Sequence, residues 1–137
     1  MPRKPGPREW SPRGQIPGMP IWPKFVDAYL EAALWSSIDD NGEPFDKNFD
    51  IDDFDQDSID LAIKESNDFI MANRKDLEEV GSEEQHGHDF WLTRNRHGAG
   101  FWDRGYPDQI HSRLTEAAHA YGEQHVWTGP NGTVYLE

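Results

Sequence analysis

The sequence predicts an α+β fold: an antiparallel four-stranded sheet of two hairpins, packed with about three helices in the order α-α-β-β-α-β-β. A Pro-rich N-terminal tail precedes it. Three observations lead there: three runs repeat apolar residues at helical spacing, two stretches read as strand–turn–strand, and seven of the ten prolines fall within residues 1–23. A chain of 137 residues suits one domain, taken as residues 24–137, and at that size folding buries roughly two-thirds of the unfolded surface.

Residues 1–23 form the tail. Proline at 2, 5, 7, 12, 17, 20 and 23 removes backbone donors and fixes φ, so neither helix nor sheet ladder can run there. A flexible, extended or polyproline-like arm is expected, pinned at most by Trp10, Ile16 and Trp22. It carries Arg3, Lys4, Arg8 and Arg13 against Glu9.

The first helix is expected from just after Pro23 to about Ser37, because Phe25, Val26, Tyr29, Leu30, Ala33 and Leu34 share one helical face. An acidic segment follows over residues 39–60. Clustered carboxylates suit calcium, but the EF-hand pattern fails here. With Gly42 as the loop glycine, Ser37 and Asn48 stand at the anchor positions; starting from Asp53, Ser58 replaces the glycine and Lys64 the glutamate. The segment reads as a solvated loop that feeds helix caps, or as an acidic docking surface.

A second helix is expected from about Gln56 to Glu79, capped by Asp55 or Asp57 and closed by Gly81. Its buried stripe is Ile59, Ala62, Ile63, Ser66, Phe69, Ile70, Asn73, Leu77 and Val80.

The stretch His86–Gly105 concentrates two Trp, two Phe, three His and three Arg. Its ends mirror each other, Asp89-Phe90-Trp91 against Phe101-Trp102-Asp103, around the turn-rich Asn95–Gly100. A hairpin is expected, with strands near Asp89–Arg94 and Ala99–Arg104, Phe90 opposite Trp102 and Trp91 opposite Phe101. A third helix starts after Pro107, capped by Asp108, and ends at Gly122 with Ile110, Leu114, Ala117, Ala118 and Tyr121 inward. His111 and His119 lie off that stripe and read as ordinary surface histidines. The turn Gly129-Pro130-Asn131-Gly132 joins strands His125–Thr128 and Thr133–Leu136 in a closing hairpin.

Composition narrows the function. The apolar fraction is 35% but the aromatic fraction is 12%, with six Trp, so large rings should build a small core. The absence of cysteine excludes disulfides and thiolate chemistry, and no GxSxG-like elbow points to a serine nucleophile. No apolar run approaches the roughly 18–20 residues that span a bilayer, and Pro and Gly interrupt any leader-like start. A soluble cytoplasmic protein is expected. Net charge is +3 over residues 1–23 and −16 over the rest, −13 in all. Such a body repels nucleic acid and anionic membrane and favours a basic or nucleic-acid-binding protein partner.

The run FVDAYLEAALWSS with DDNGEPFD after it, and HDFWLTRN followed by HGAGFWDRG with LTEAAHAYGE behind, resemble a family of small uncharacterised bacteriophage proteins, actinobacteriophages among them. The resemblance covers most of residues 24–137. It implies a viral accessory protein acting in the bacterial cytoplasm, and it transfers no catalytic residues.

Two site chemistries fit the aromatic stretch. His86, His88 and Asp89, joined by His97 at the hairpin tip, offer imidazole and carboxylate ligands for a divalent metal. No complete metal signature is present, and no cofactor is otherwise expected. Alternatively, Arg94, Asn95, Arg96, His97 and Arg104, with Trp91 and Trp102 as stacking rings, form a binding surface for an anion or a partner. The neutral reading pairs Asp89 and Asp103 with Arg94 and Arg104. The leading functional reading is a non-enzymatic phage accessory protein that binds a host or phage protein through an acidic, aromatic-rich surface. Its alternatives are a small metal-dependent or nucleotide-handling enzyme centred on the stretch, and a DNA mimic whose carboxylates imitate phosphates.

Overall fold

The structure, a computed structural model, describes residues 19–137. Most of the expected tail therefore lies outside the described residues. Its last residues are tied down: the Ile21 amide donates to Asn67 Oδ1 (2.8 Å), Asn67 Nδ2 donates to the Met19 carbonyl (2.9 Å), and Trp22 packs on Phe25.

Helix α1 spans Pro23–Ser36 with proline in its first turn, where the missing N–H costs nothing. All six predicted inward residues are buried, together with Ala28 and Ala32. The acidic segment makes two single-turn 3-10 helices, Phe45–Lys47 and Ile51–Asp53. Four of its carboxylates serve local backbone. Asp39 accepts from the amides of Asn41 and Glu43, Asp50 and Asp53 form a reciprocal capping box, and Asp55 caps the next helix through Ser58 N.

Helix α2, Gln56–Glu79, buries the predicted stripe except Asn73 and Val80, which are partly exposed, and is interrupted at Asn73 (φ −124°, ψ 19°), whose amide donates to the Phe69 carbonyl at 2.9 Å. The chain closes with strands β1 (Val126–Thr128) and β2 (Val134–Leu136), which pair antiparallel with Trp127 opposite Tyr135. This hairpin is moored to the start of α2, since Asp55 N donates to Val134 O (3.0 Å) and Leu136 N to Ser58 Oγ (2.9 Å).

The four-stranded sheet does not form. Where a central hairpin is expected, the chain makes helix α3, Glu83–Arg94, followed by a loop and a 3-10 turn at Phe101–Asp103. Among the described residues the sheet has two strands, β1 and β2, and four helices dominate. Ser82 starts α3 by accepting from Gln85 N, and Glu83 and Glu84 sit at the positive end of its dipole. Helical periodicity is invisible because α3 runs through the centre of the molecule. His86, Gly87 and every residue from Asp89 to Arg94 are buried, so no polar face alternates with an apolar one.

The mirror pairing is likewise replaced. Phe90 stacks on Phe69 (4.2 Å, 13°) and Trp91 meets Tyr29 edge-on (5.4 Å), while Phe101 packs against Phe69. Gly87 lets α3 lie against α1, for a Cβ there would overlap the Phe25 carbonyl. Helix α4, Asp108–His119, follows Pro107. Asp108 stands in its first turn rather than capping it, and Gly122 (φ 76°) closes its end.

Candidate functional site

Of the ten residues singled out in the sequence, six hold the fold. His86 is buried with Nε2 donating between the carbonyls of Leu77 (2.8 Å) and Val80 (2.6 Å), which α2 leaves open at its C-terminus. Gly81 (φ 63°) makes room for that ring, since a Cβ there would lie 2.7 Å from His86 Cε1. Asp89 is fully buried and receives Arg104 through Nε (3.0 Å) and Nη2 (2.6 Å), a two-pronged pair. Trp91 donates its indole N–H to Ser36 Oγ (2.9 Å).

Arg94, 3% exposed, binds Glu65 (2.6 Å), the Tyr29 hydroxyl (2.9 Å) and the carbonyls of Gly122 (2.8 Å) and Tyr121 (3.0 Å). Burial pushes the Tyr29 phenol above its ordinary range, so that group stays a neutral hydroxyl. Asn95 ties the end of α3 to the last segment by accepting from Gln124 N (2.8 Å). The ion pairs are thus Asp89–Arg104 and Glu65–Arg94, not the sequential pairs expected.

The metal grouping is dispersed. On a helix, His86 and His88 face different ways: His86 points into the end of α2, and His88 lies outward with its ring 5.4 Å from Trp35. Among the described residues no three His, Asp or Glu side chains are placed to hold a metal ion.

Arg96, His97 and Trp102 do converge. They line a cleft of about 560 Å³ whose other wall is α4, with His111, Ser112, Thr115, Glu116 and His119. The two α4 histidines, read in the sequence as bland, belong to it; only the tertiary packing of α4 beside the loop brings them there. His97 N donates to Leu92 O and Arg96 N to Thr93 O (both 3.0 Å), the closing pattern of a Schellman turn. Arg96 occupies the left-handed position of that turn (φ 57°), where glycine is usual, at a cost of roughly 1–2 kcal/mol. Trp102 is placed by the 3-10 turn, which is held by Phe101 N donating to Thr93 Oγ1 (3.2 Å). Gly100 is needed beneath it, because a Cβ would fall 2.6 Å from Trp102 Cζ3.

A second surface lies on the outer faces of α1 and α3. Asp27, Glu31 and Trp35 follow each other at helical spacing on α1, with Glu84 and His88 of α3 beside them. Trp35 is 54% exposed, and Ile38 just beyond the helix is 61% exposed. Burial, then the charges of Asp27 and Glu84, push the Glu31 carboxyl above its usual range. Burial holds His88 below its ordinary value, opposed by Asp89 and aided by Arg104.

Comparison of the chain with protein-family models, with curated proteins and with solved structures returned no match.

Proposed function

We propose that the protein acts by binding a basic segment of a host or phage protein through the α1–α3 face centred on Trp35. The observation that carries this reading is the half-exposed Trp35 one helical turn from Glu31, whose carboxyl is held above its usual range. A large indole left in water on a small domain is an anchor in search of a pocket or a cation. Glu31, pushed up first by burial and then by the charges of Asp27 and Glu84, marks a spot where an incoming Lys or Arg favours the charged carboxylate. The same cation can lie over the Trp35 ring, an arrangement worth about 0.5–2 kcal/mol. The net charge of −13 draws such a partner in from a distance.

The rings matter differently from the sequence reading. Most of the aromatic content fills the core, and Trp35 and Trp127 are the exposed tryptophans among the described residues. The metal-enzyme alternative draws no support from this arrangement, since His86 is turned into the end of α2, Asp89 is paired with Arg104 and His97 lies at the α4 cleft. The DNA-mimic alternative is weakened because Asp39, Asp50, Asp53 and Asp55 serve turns and caps instead of forming a spaced outward array. Among the described residues no helix is long and apolar enough to cross a membrane. The bacterial cytoplasm is the setting that the resemblance to phage proteins implies.

The test is affinity capture from bacterial lysate with wild type, Trp35→Ala and Glu31→Lys. A basic protein retained by wild type, eluted by salt and lost in both variants supports the reading. Capture that survives both substitutions refutes this face as the interface.

A further inference from the structure

Arg96 is the one arginine of five among the described residues without a carboxylate partner. Arg74, Arg94, Arg104 and Arg113 are all paired, with Glu78, Glu65, Asp89 and Asp76. In a domain with 25 acidic residues after position 23, an arginine that pairs with none of them is unusual. Its backbone is also strained to keep it there, for no other non-glycine residue among those described has positive φ. A residue held in a glycine position points to a role for its side chain.

The surroundings say what that role is. His97, His111 and His119 add three imidazoles to the same cleft, and Trp102 supplies a flat apolar wall. Burial, then the Arg96 guanidinium, holds His119 below its ordinary value, which sets the Arg96 charge within reach of that ring. Two carboxylates bear on it: Glu116 lines the cleft, and Asp108 accepts at 3.3 Å from His111 Nε2. Thr115 Oγ1, also in the lining, is buried without a hydrogen-bond partner among the described residues.

We propose that this cleft binds a small phosphate monoester carrying a flat ring, of the nucleoside monophosphate class. Arg96 grips the phosphate as a two-pronged donor, the imidazoles add N–H donors, and the ring lies along Trp102. The volume of about 560 Å³ accommodates a ligand of that size. This site shares no residue with the Trp35 face, and it stands or falls separately from the protein-binding reading.

The turn supplies an unusually clean variant. Arg96→Gly removes the guanidinium while placing glycine where the Schellman turn prefers it, so the protein should melt higher than wild type. Binding is followed by NMR titration with AMP, inorganic phosphate and adenosine, reading the His119 and His111 ring signals and the Trp102 indole. AMP should shift all three signals and raise the His119 pKa, phosphate should shift the histidines alone, and adenosine should bind at least tenfold more weakly than AMP. Arg96→Gly should lose at least tenfold in AMP affinity, and Glu116→Gln should gain. If phosphate and AMP leave the cleft signals unmoved, the proposal is overturned. It is equally overturned if adenosine matches AMP, or if Arg96→Gly binds as wild type does.

Discussion

Arg96 and Arg94 stand two residues apart and show how differently one side-chain type is used. Arg94 is spent on the fold: Glu65, Tyr29 and two carbonyls close around it, with the rings of Phe90 and Tyr121 beside its guanidinium. Arg94→Ala should lower unfolding free energy by about 3–5 kcal/mol in urea titration, because it strands those partners without replacing their hydrogen bonds. Arg96→Gly should go the other way, raising stability by about 1 kcal/mol through relief of the left-handed turn. A loss of stability in that variant would mean that the arginine side chain, and not only the backbone, supports the end of α3.

His88 gives a pH dependence at the same scale. Burial outweighs the pull of Asp89, and the fold holds the ring below its ordinary value of 6.5. The unfolded chain therefore takes up the proton first as pH falls. The stability tied to a neutral His88 is complete above about pH 6.5 and drains away as the pH drops through the lower folded value. His119, held down by burial and Arg96, acts in the same direction. Thermal melts between pH 7 and 5 should fall, and the slope should flatten in His88→Gln. An unchanged slope would place the effect elsewhere.

Among the elements, α3 explains both the main error of sequence reading and the architecture. Helices α1, α2 and α4 each cover one side of the core, so their apolar stripes and caps are visible in the sequence: Pro23 and Asp55 at the starts, Gly81 and Gly122 past the ends. The closing hairpin is equally visible from its Gly-Pro-Asn-Gly turn. Helix α3 is packed on nearly all sides, and a twelve-residue helix of that kind carries no period to read. Its aromatic residues, set in mirror order with the later Phe101-Trp102, mimic a hairpin instead. Within the site, Arg96 and His97 were legible as polar residues without expected partners, whereas Trp102 reads in the sequence as a ring paired with Phe90 in the hairpin. His111 and His119 were not, because only the docking of α4 beside the loop turns two surface imidazoles into cleft walls.

The α1–α3 contact also carries a prediction. Gly87→Ala would place a methyl group against the Phe25 carbonyl, which is rigid helix backbone. Forcing the helices apart should cost about 1–3 kcal/mol, well beyond the gain from better helix propensity. Denaturant unfolding would show this directly, and a stabilised Gly87→Ala variant would contradict the close approach.

For the whole molecule, the charge is a property of surface and the aromatic content a property of core. Within residues 39–60, Asp39, Asp50, Asp53 and Asp55 are engaged in turns and caps, whereas Asp27 and Glu84 bear on Glu31, one helical turn from the exposed Trp35. The most direct test of that face is its affinity for a short arginine-rich peptide, measured by calorimetry for wild type and Trp35→Ala at low and high salt. The account predicts binding that weakens as salt rises and falls about 30-fold or more in the variant, the loss expected of an aromatic anchor worth about 2 kcal/mol. Equal affinity of Trp35→Ala and wild type, or binding indifferent to salt, would contradict it.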